Sequence, residues 1–516
     1  MKFIAFCLLC LSFSFSAFAD QTKTLEKQMQ KSLDRFQCTL ALHGVTANFE
    51  GALIIEKADT YYAITLPDIS IDYPGQSHLD IGIISINALP SKDKGLWRMR
   101  VALPTPMRVT NPLKNESFNI HLPAQNIEAF WHGETDLITS LHADFQNIRL
   151  EDAVSNQQIT IGNANFNHGV SNPDLGKLAE YRKAQDKWLA RTEQNNHALT
   201  EEDMKTAESL FNFYVGDYAQ SQESSLKLSD VKIREGEKTR LNINDVDILA
   251  SLKSVDGGLL DVLSHTEMNG ITPSQTPTAP TDKAGLPSYA KSTMHLTKLP
   301  KNETLSFLKE NAMNNLALAI FLNNPTTTAE QLKKQVQTSQ QSQQKMAQKF
   351  TTLKNALASA GSEAALSLET GTADDYTISL NMALKGDETA KQKGTGEVKI
   401  SLQGYDKFKK ASIIESKALQ EKMKQENPQS PATALPPEML FSILETIGQY
   451  TMGEDGTSSL DIIAALSKEG ILTINEQDVK AYMALVLPVF MLMSQQFSLQ
   501  QEQEEATEQN ITAPTE

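Results

Sequence analysis

Leu96-Trp97-Arg98-Met99-Arg100-Val101-Ala102-Leu103 decides how the first half of this chain folds. Trp97, Met99, Val101 and Leu103 alternate with Arg98, Arg100 and Ala102. Successive side chains of a strand point to opposite faces, so a period of two means one buried face and one wet face. Working outward, Ile64 and Leu66 alternate with Ala63 and Thr65, and Phe118, Ile120 and Leu122 alternate with Asn119 and His121. Leu79, Ile81 and Ile83 keep one phase, which then passes to Ile84 and Ile86. A phase flip inside one run predicts a β-bulge. Pro74-Gly75 and Asn111-Pro112 are turn signals. The strand pattern is read from Thr39 to Phe166 with no helix between, which favours antiparallel pairing. Cys38, between Gln37 and Thr39, is placed in a strand as a buried small hydrophobe.

Helical spacing appears in two places in this half. Leu25 to Phe36 reads as a short amphipathic helix, and Leu175, Leu178, Tyr181 and Trp188 form a second stripe opened by Asn172-Pro173-Asp174. Thr200 with Asp203 would cap a further helix ending near Tyr214. Strands return at Leu241 and Ile243, and Val246 and Ile248 continue the same face after a shift. Asp256-Gly257-Gly258 marks a hairpin.

Residues 270–288 are rich in Pro, Thr and Ser and read as a linker. Beyond it, Met294–Leu299 runs into a helix with Leu305, Leu308, Ala312, Leu316 and Ile320 on one stripe. Thr327-Thr328-Ala329-Glu330 is a capping box for the next helix, giving a helical hairpin whose Gln-rich outer part, around Gln331–Lys349, projects. Ile378, Leu380, Met382 and Leu384 alternate again, as do Val398, Ile400 and Leu402, before a helix at Tyr405 to Lys424. A second Pro-rich connector, Asn427 to Pro437, leads into a helix at Glu438 to Tyr450. A short strand at Ile471–Ile474 precedes a final helix at Gln477–Phe497. The expected fold is α+β: long antiparallel β-strands with helices packed on the sheet and a projecting helical hairpin. The expected organisation is a signal peptide at 1–19, a β-rich region with a helical insertion at 20–269, the linker at 270–288, an α+β region at 289–499 and a disordered acidic tail at 500–516.

The first residues predict export. Lys2, the apolar run Phe3 to Phe15 and Ser16-Ala17-Phe18-Ala19 form the three parts of a secretory signal, cleaved after Ala19. The apolar run is shorter than the roughly 20 residues a spanning helix needs, so no transmembrane anchor is expected after cleavage. Cys10 follows Leu8-Leu9 and Cys7 follows Phe6, which does not fit a lipoprotein signal. Cleavage would leave Cys38 as the one cysteine, so stability must come from a core and not from disulfides.

With 47 Lys and Arg against 63 Asp and Glu, the formal net charge is −16, and no basic stripe interrupts it. Phosphate neutralisation dominates nucleic-acid affinity, so DNA and RNA are poor partners for this chain. Gly75-Gln76-Ser77-His78 lacks the second Gly of a nucleophile elbow, with Leu79 in its place. Ser-x-x-Lys occurs at Ser91/Lys94, Ser288/Lys291 and Ser306/Lys309 without its usual companion motifs. His121, His132 and His142 share a β region with Glu134 and Asp136 but not the spacing of a metal motif. Asn244, Asp245 and Asp247 lack the Gly and distal Glu of a calcium loop and read as strand-edge acids. No catalytic, cofactor or metal residues are assigned. Tyr482 to Met493, interrupted by Pro488, is the most apolar stretch after residue 19 and reads as a core helix.

Lys468-Glu469 followed by Gly470-Ile471-Leu472-Thr473-Ile474-Asn475, and Met294-His295-Leu296-Thr297-Lys298-Leu299-Pro300, each read as a strand running straight into a helix. In this the chain resembles uncharacterised bacterial envelope proteins, loosely similar to the AsmA-like group. The resemblance implies a signal sequence, long amphipathic strands and helical insertions. The sequence therefore predicts a soluble periplasmic protein that binds an apolar, lipid-like ligand between amphipathic sheet and helices, or acts as a scaffold for other envelope proteins. The alternative is a hydrolase with a site assembled from distant residues.

Overall fold

A computed structural model describes residues 2–42, 45–73, 77–93, 95–111, 116–152, 156–194, 206, 221–255, 257–273, 287–322, 329–372, 375–426 and 437–479. Among the described residues strands outweigh helices, so the fold is mostly antiparallel β and not the balanced α+β arrangement expected from the sequence. The cause is strand length. Several strands run for 14 to 18 residues, because the alternation persists where the sequence alone marked only its most regular cores. The chain divides into two compact units, one of residues 1–275 with 293–362, the other of 276–292 with 363–516.

The first unit opens with helix α1 (Lys2–Leu42). Short strands β1 (Thr46–Glu50) and β2 (Ile54–Lys57) pair with β3 (Tyr62–Asp72), which pairs with β4 (His78–Pro90). β5 (Leu96–Ala102) and β6 (Met107–Asn111) both join β4, along different parts of it, and β7 (Glu116–His121) pairs with β6. β8 (Ala124–His132), β9 (Leu137–Asp152) and β10 (Gln157–Val170) follow. Helix α2 (Leu175–Gln194) interrupts, and β11 (Ser221–Glu235), β12 (Lys238–Val255), β13 (Leu259–Asn269) and the two-residue β14 (Thr272–Pro273) complete the run. Asp174 caps α2 as its sequence predicts, accepting from the Lys177 amide at 3.1 Å. The hairpin at Gly257-Gly258 pairs Val255 with Leu259 through two glycines at φ 85 and 75, a backbone that other residues reach only with strain. The helix expected at 200–214 lies outside the described residues.

One correction concerns the N-terminal junction. Cys38 is helical, because α1 continues to Leu42 and the first strand begins only at Thr46. Leu25, Met29 and Leu33 recur every four residues and are all buried, which anchors the helix, and it runs on past Phe36 through Cys38. Among the described residues no helix is long and apolar enough to cross a membrane.

The phase flip of β4 is a bulge, as its sequence predicts. Thr65 pairs with Ser85 and Asp68 with Ile83, so Leu66 and Pro67 together oppose Ile84. A second break leaves Ile81 unpaired between Gly82 and Asp80. The strands β9 to β12 all change phase, and they do so on one row. Apolar positions pass from Phe145 to Ile148, from Ile161 to Ala164, from Leu228 to Val231 and from Ile243 to Val246. Between them the row reads Asn147, Gly162, Asp230, Asn244, fixed by the pairings on either side. Asn147 and Asp230 take left-handed backbone at φ 56 and 55, a conformation that Asn and Asp tolerate better than most residues. Ile148, Ala164, Phe145, Ile161 and Leu228 consequently share one cluster.

In the same unit β15 (Tyr289–Pro300), whose first residues belong to the second unit, leads into α3 (Lys301–Leu322) and α4 (Ala329–Ala360). The two helices meet as a hairpin, with Phe307 and Phe350 ring centroids 6.2 Å apart and the Lys349 ammonium donating to the Ser306 hydroxyl at 2.8 Å. The capping box at 327–330 begins outside the described residues.

The second unit contains β16 (Glu363–Gly371), β17 (Thr377–Gly386), β18 (Gly394–Gln403), α5 (Tyr405–Glu426), α6 (Pro437–Ile447), β19 (Gln449–Met452), β20 (Ser458–Leu466), β21 (Leu472–Ile474) and β22 (Gln477–Asp478). Its core sits where α5 and α6 cover one end of the sheet: Leu402, Tyr405, Phe441 and Leu460 are buried together. A final helix from Gln477 was expected; Gln477 and Asp478 instead form β22, and the rest of that stretch lies outside the described residues.

Candidate functional site

In an antiparallel sheet, residues directly opposite one another stand on the same face. In the first unit one such row runs through nine strands: Ile64, Ile86, Val101, Ile127, Ala143, Phe166, Leu226, Ile248 and Thr266, from β3 and β4 through β5, β8 and β9 to β13. Eight of the nine are apolar, and beside it lies a parallel row in which Tyr62, Ala88, Met99, Ala129 and Leu141 are opposed. The face is therefore an apolar stripe crossing the strands.

Helix α1 covers one end of that stripe. Leu25, Met29 and Leu33 bury against Tyr62, Ile64, Ile86, Trp97, Met99 and Trp131, and Tyr62 meets Trp97 edge to face at 5.6 Å. Polar contacts fix the helix here. Arg35, its side chain 9% exposed, holds Asp186 of α2 through two bonds of 2.6 and 3.0 Å and approaches Asp136 at 3.4 Å. Lys31 reaches the same Asp186 at 3.4 Å. Burial pushes the Asp186 carboxyl upward, but the Arg35 hydrogen bond and charge, helped by Lys31, outweigh it and hold the group below its ordinary value. Asp136, on the tight turn between β8 and β9, also accepts from Ser32 and from the Trp131 indole at 3.0 Å.

Where the helix stops covering the sheet, a groove of about 530 Å3 opens. Its floor is Val101, Ile127, Ala143 and Phe166 of the central row, with Leu103, Ile138, Leu141 and Phe145 around them. Met29 and Ser32 of α1 close one side, and Asp136 stands at that end. The volume lies in the range of sites that enclose a small ligand, and the lining is that of an apolar guest with one polar end. A smaller cleft of about 200 Å3 lies between α1 and α2, lined by Lys31, Asp34, Arg35, Cys38, Asp186, Leu189 and Ala190.

The opposite face of the same strands is polar. Arg98 and Arg100 both contact Glu128, which stands opposite His142. His142 stands between two acceptors, the Asn167 Oδ1 at its Nδ1 and the Asp144 Oδ2 at its Nε2, each at 2.6 Å, so both nitrogens donate when the ring is protonated. Asn167 is oriented by its own donation to Asn165 at 2.5 Å, so its carbonyl oxygen faces the ring. The Asn167 bond first, and Asp144 next, therefore hold the imidazole above its usual pKa against a smaller opposing effect of burial.

The remaining sequence candidates are dispersed. His132 is buried and bonded to Thr135, while His121 lies on β7 near Glu151, so the three histidines do not converge. Among the described residues no group of three or more His, Cys, Asp or Glu could hold a metal ion. Ser306 takes its bond from Lys349 rather than Lys309, and Ser288 is bonded to the Gly371 carbonyl at 3.3 Å. Lys94, Gly75 and Gln76 lie outside the described residues; Ser77 is bonded by Asn111 and His78 by Asp72. Asp245 and Asp247 lie inside β12, where Asp247 pairs with Lys227 at 2.8 Å, rather than at a strand edge.

Met99, Val101 and Leu103 of the groove belong to the face read first in the sequence. Phe145, Phe166, Ile138 and the contribution of Met29 and Ser32 were not identified there. The common signal is the flip of β9 and β10: carried across it, the alternation puts Phe145 and Phe166 on the face of Val101. No protein-family model matches the chain, and no curated protein or solved structure matches it either.

Proposed function

We propose that this chain is an exported envelope protein that binds the apolar chain of a lipid-like molecule in the groove beside α1. One observation carries the reading: among the described residues a continuous apolar row over eight strands is capped by a helix at one end, and beside that helix lies a groove of about 530 Å3. An apolar face left to water forfeits about 25 cal/mol per Å2, so a guest that covers it gains that amount and needs few polar contacts. The negative balance of the chain agrees with capture of the tail and not of an anionic membrane surface. Export, with cleavage after Ala19, leaves Leu25, Met29, Ser32 and Leu33 in place, so the groove is retained in the cleaved product.

The test is native mass spectrometry of full-length product recovered from the periplasm, with organic extraction of whatever accompanies it. The same spectra, taken after denaturation, report whether cleavage follows Ala19. A stoichiometric lipid adduct is expected, and uptake of the apolar dye N-phenyl-1-naphthylamine by stripped protein. Phe166→Arg should abolish dye uptake, while Asn163→Arg, on the polar face of the same strand, should leave it. Equal uptake by both variants would refute the groove. A protein that takes neither lipid nor dye would instead point to the scaffold role.

A further inference from the structure

The groove is asymmetric in charge, and this bears on the head of its guest. Its lining contains no lysine or arginine among the described residues, and its one charged side chain is the Asp136 carboxylate. Three cations stand near Asp136 without lining the groove: Arg35 and Lys31 are directed to Asp186, with Arg35 also 3.4 Å from Asp136, and Arg182 donates to the backbone carbonyls of Thr135 and Asp136 at 2.7 and 3.1 Å. Each of these cations is thus committed to a carboxylate or a backbone carbonyl, and none lines the groove where an anionic head would sit. Asp136 receives Ser32 and Trp131 on the same oxygen, Oδ1. Its second oxygen faces Arg35 at the longer distance and keeps lone-pair capacity for another donor.

Resting on the groove reading above, we infer that the occupant is an uncharged long-chain amphiphile whose head donates a hydrogen bond, such as a fatty alcohol or an acylglycerol hydroxyl, and that Asp136 selects against fatty-acid carboxylates. A hydroxyl would donate to Asp136 and leave its chain against Leu141, Phe145 and Phe166. A carboxylate would bring a second negative charge beside Asp136 in surroundings too apolar to screen it. The unfavourable pairing is specific to this end, since the rest of the lining is apolar apart from Ser32.

The experiment is displacement of N-phenyl-1-naphthylamine from the full-length protein at pH 8 by dodecan-1-ol, its methyl ether and dodecanoate. The alcohol should displace dye more effectively than the ether, although the ether is the more apolar. Dodecanoate should be weaker than the alcohol by about tenfold or more, a factor equivalent to 1.4 kcal/mol. In Asp136→Asn the gap between alcohol and carboxylate should narrow several-fold, a change that differences in intrinsic hydrophobicity cannot produce. An ether as effective as the alcohol, or a carboxylate as effective as either, overturns the inference and leaves the groove standing. If Asp136→Asn folds and the gap is unchanged, the assignment to Asp136 is overturned. Should that variant not fold, the wild-type order of alcohol, ether and carboxylate decides. Failure of the wild type to take up dye at all would remove the groove itself, a result distinct from a failure of selectivity.

Discussion

Ile64 and Ile248 stand on the same cross-strand row, yet Ile64 is 1% exposed and Ile248 is 36% exposed. Their strands alternate alike and are paired in one antiparallel series. What differs is the cover. Over β3, β5 and β8 the stripe meets Leu25, Met29 and Leu33 of α1; over β10 to β12 the same stripe continues half-open. Alternation thus sets which face is apolar, while a separate helix sets where that face becomes core. The second unit repeats the distinction on a smaller scale. Leu402 and Leu460 are buried under α5 and α6, while Leu368 and Leu384, on the same sheet face, are 39% and 45% exposed.

The strongest way to probe this contrast is to truncate its covered end. Trp97→Ala should cost about 3–5 kcal/mol, as large-to-small changes in packed cores do, and appear as a lower urea midpoint for the first unit. A loss below about 1 kcal/mol would mean that the α1 end is no better packed than the open end. Next in size is Arg35→Gln, which leaves the Asp136 and Asp186 carboxylates without their guanidinium and should cost about 1–3 kcal/mol. Its pH signature is specific. Because the folded-state pKa of Asp186 lies below its ordinary value near ~3.9, its stabilising contribution is present above about pH 4 and is lost as pH falls through the folded pKa. Acid titration of stability should therefore be steeper in the wild type than in Arg35→Gln.

At the open end Ile248→Ala should cost about 1 kcal/mol or less, since much of that side chain already meets water. A cost as large as that of Trp97→Ala would show that something covers this part of the stripe in solution. The smallest effect is expected on the polar face. His142 has a raised pKa, so its contribution is complete below about pH 6.5 and declines as pH rises through the folded value. His142→Gln should flatten stability between neutral and mildly alkaline pH without changing dye uptake, and NMR titration of the imidazole should place its midpoint above ~6.5.

Much of the fold was legible because period two is a local property. Trp97, Met99 and Val101 announced their face, the bulge at Ile83-Ile84 was visible as a phase flip, and Asp174 announced α2. Other features escaped for physical reasons. The helical content was overweighted because strands such as β11 carry Ser, Lys and Asp on the wet face and only Leu226, Leu228, Val231 and Ile233 on the other, a pattern further blurred by a flip in its middle. Cys38 was assigned to a strand because the strand pattern was read from Thr39 onward, whereas α1 continues to Leu42 despite the weak helix propensity of Cys38 and Thr39. The groove was expected only as a class of feature. Its location depends on where α1 lies across non-neighbouring strands, which no local pattern encodes.

The row Asn147, Gly162, Asp230 and Asn244 also constrains how this sheet can be altered. Each of its members acts as a comma at which one strand changes parity, and the four commas are aligned. Inserting or deleting a single residue on one side of the row in only one strand would turn that strand's distal apolar set to the water while its neighbours kept theirs. Such a sheet tolerates growth in whole hairpins at its edge far better than lengthening of individual strands. A chain built this way can extend its apolar stripe by adding units of two strands, each bringing one left-handed position on the same line, as Asn147 and Asp230 do.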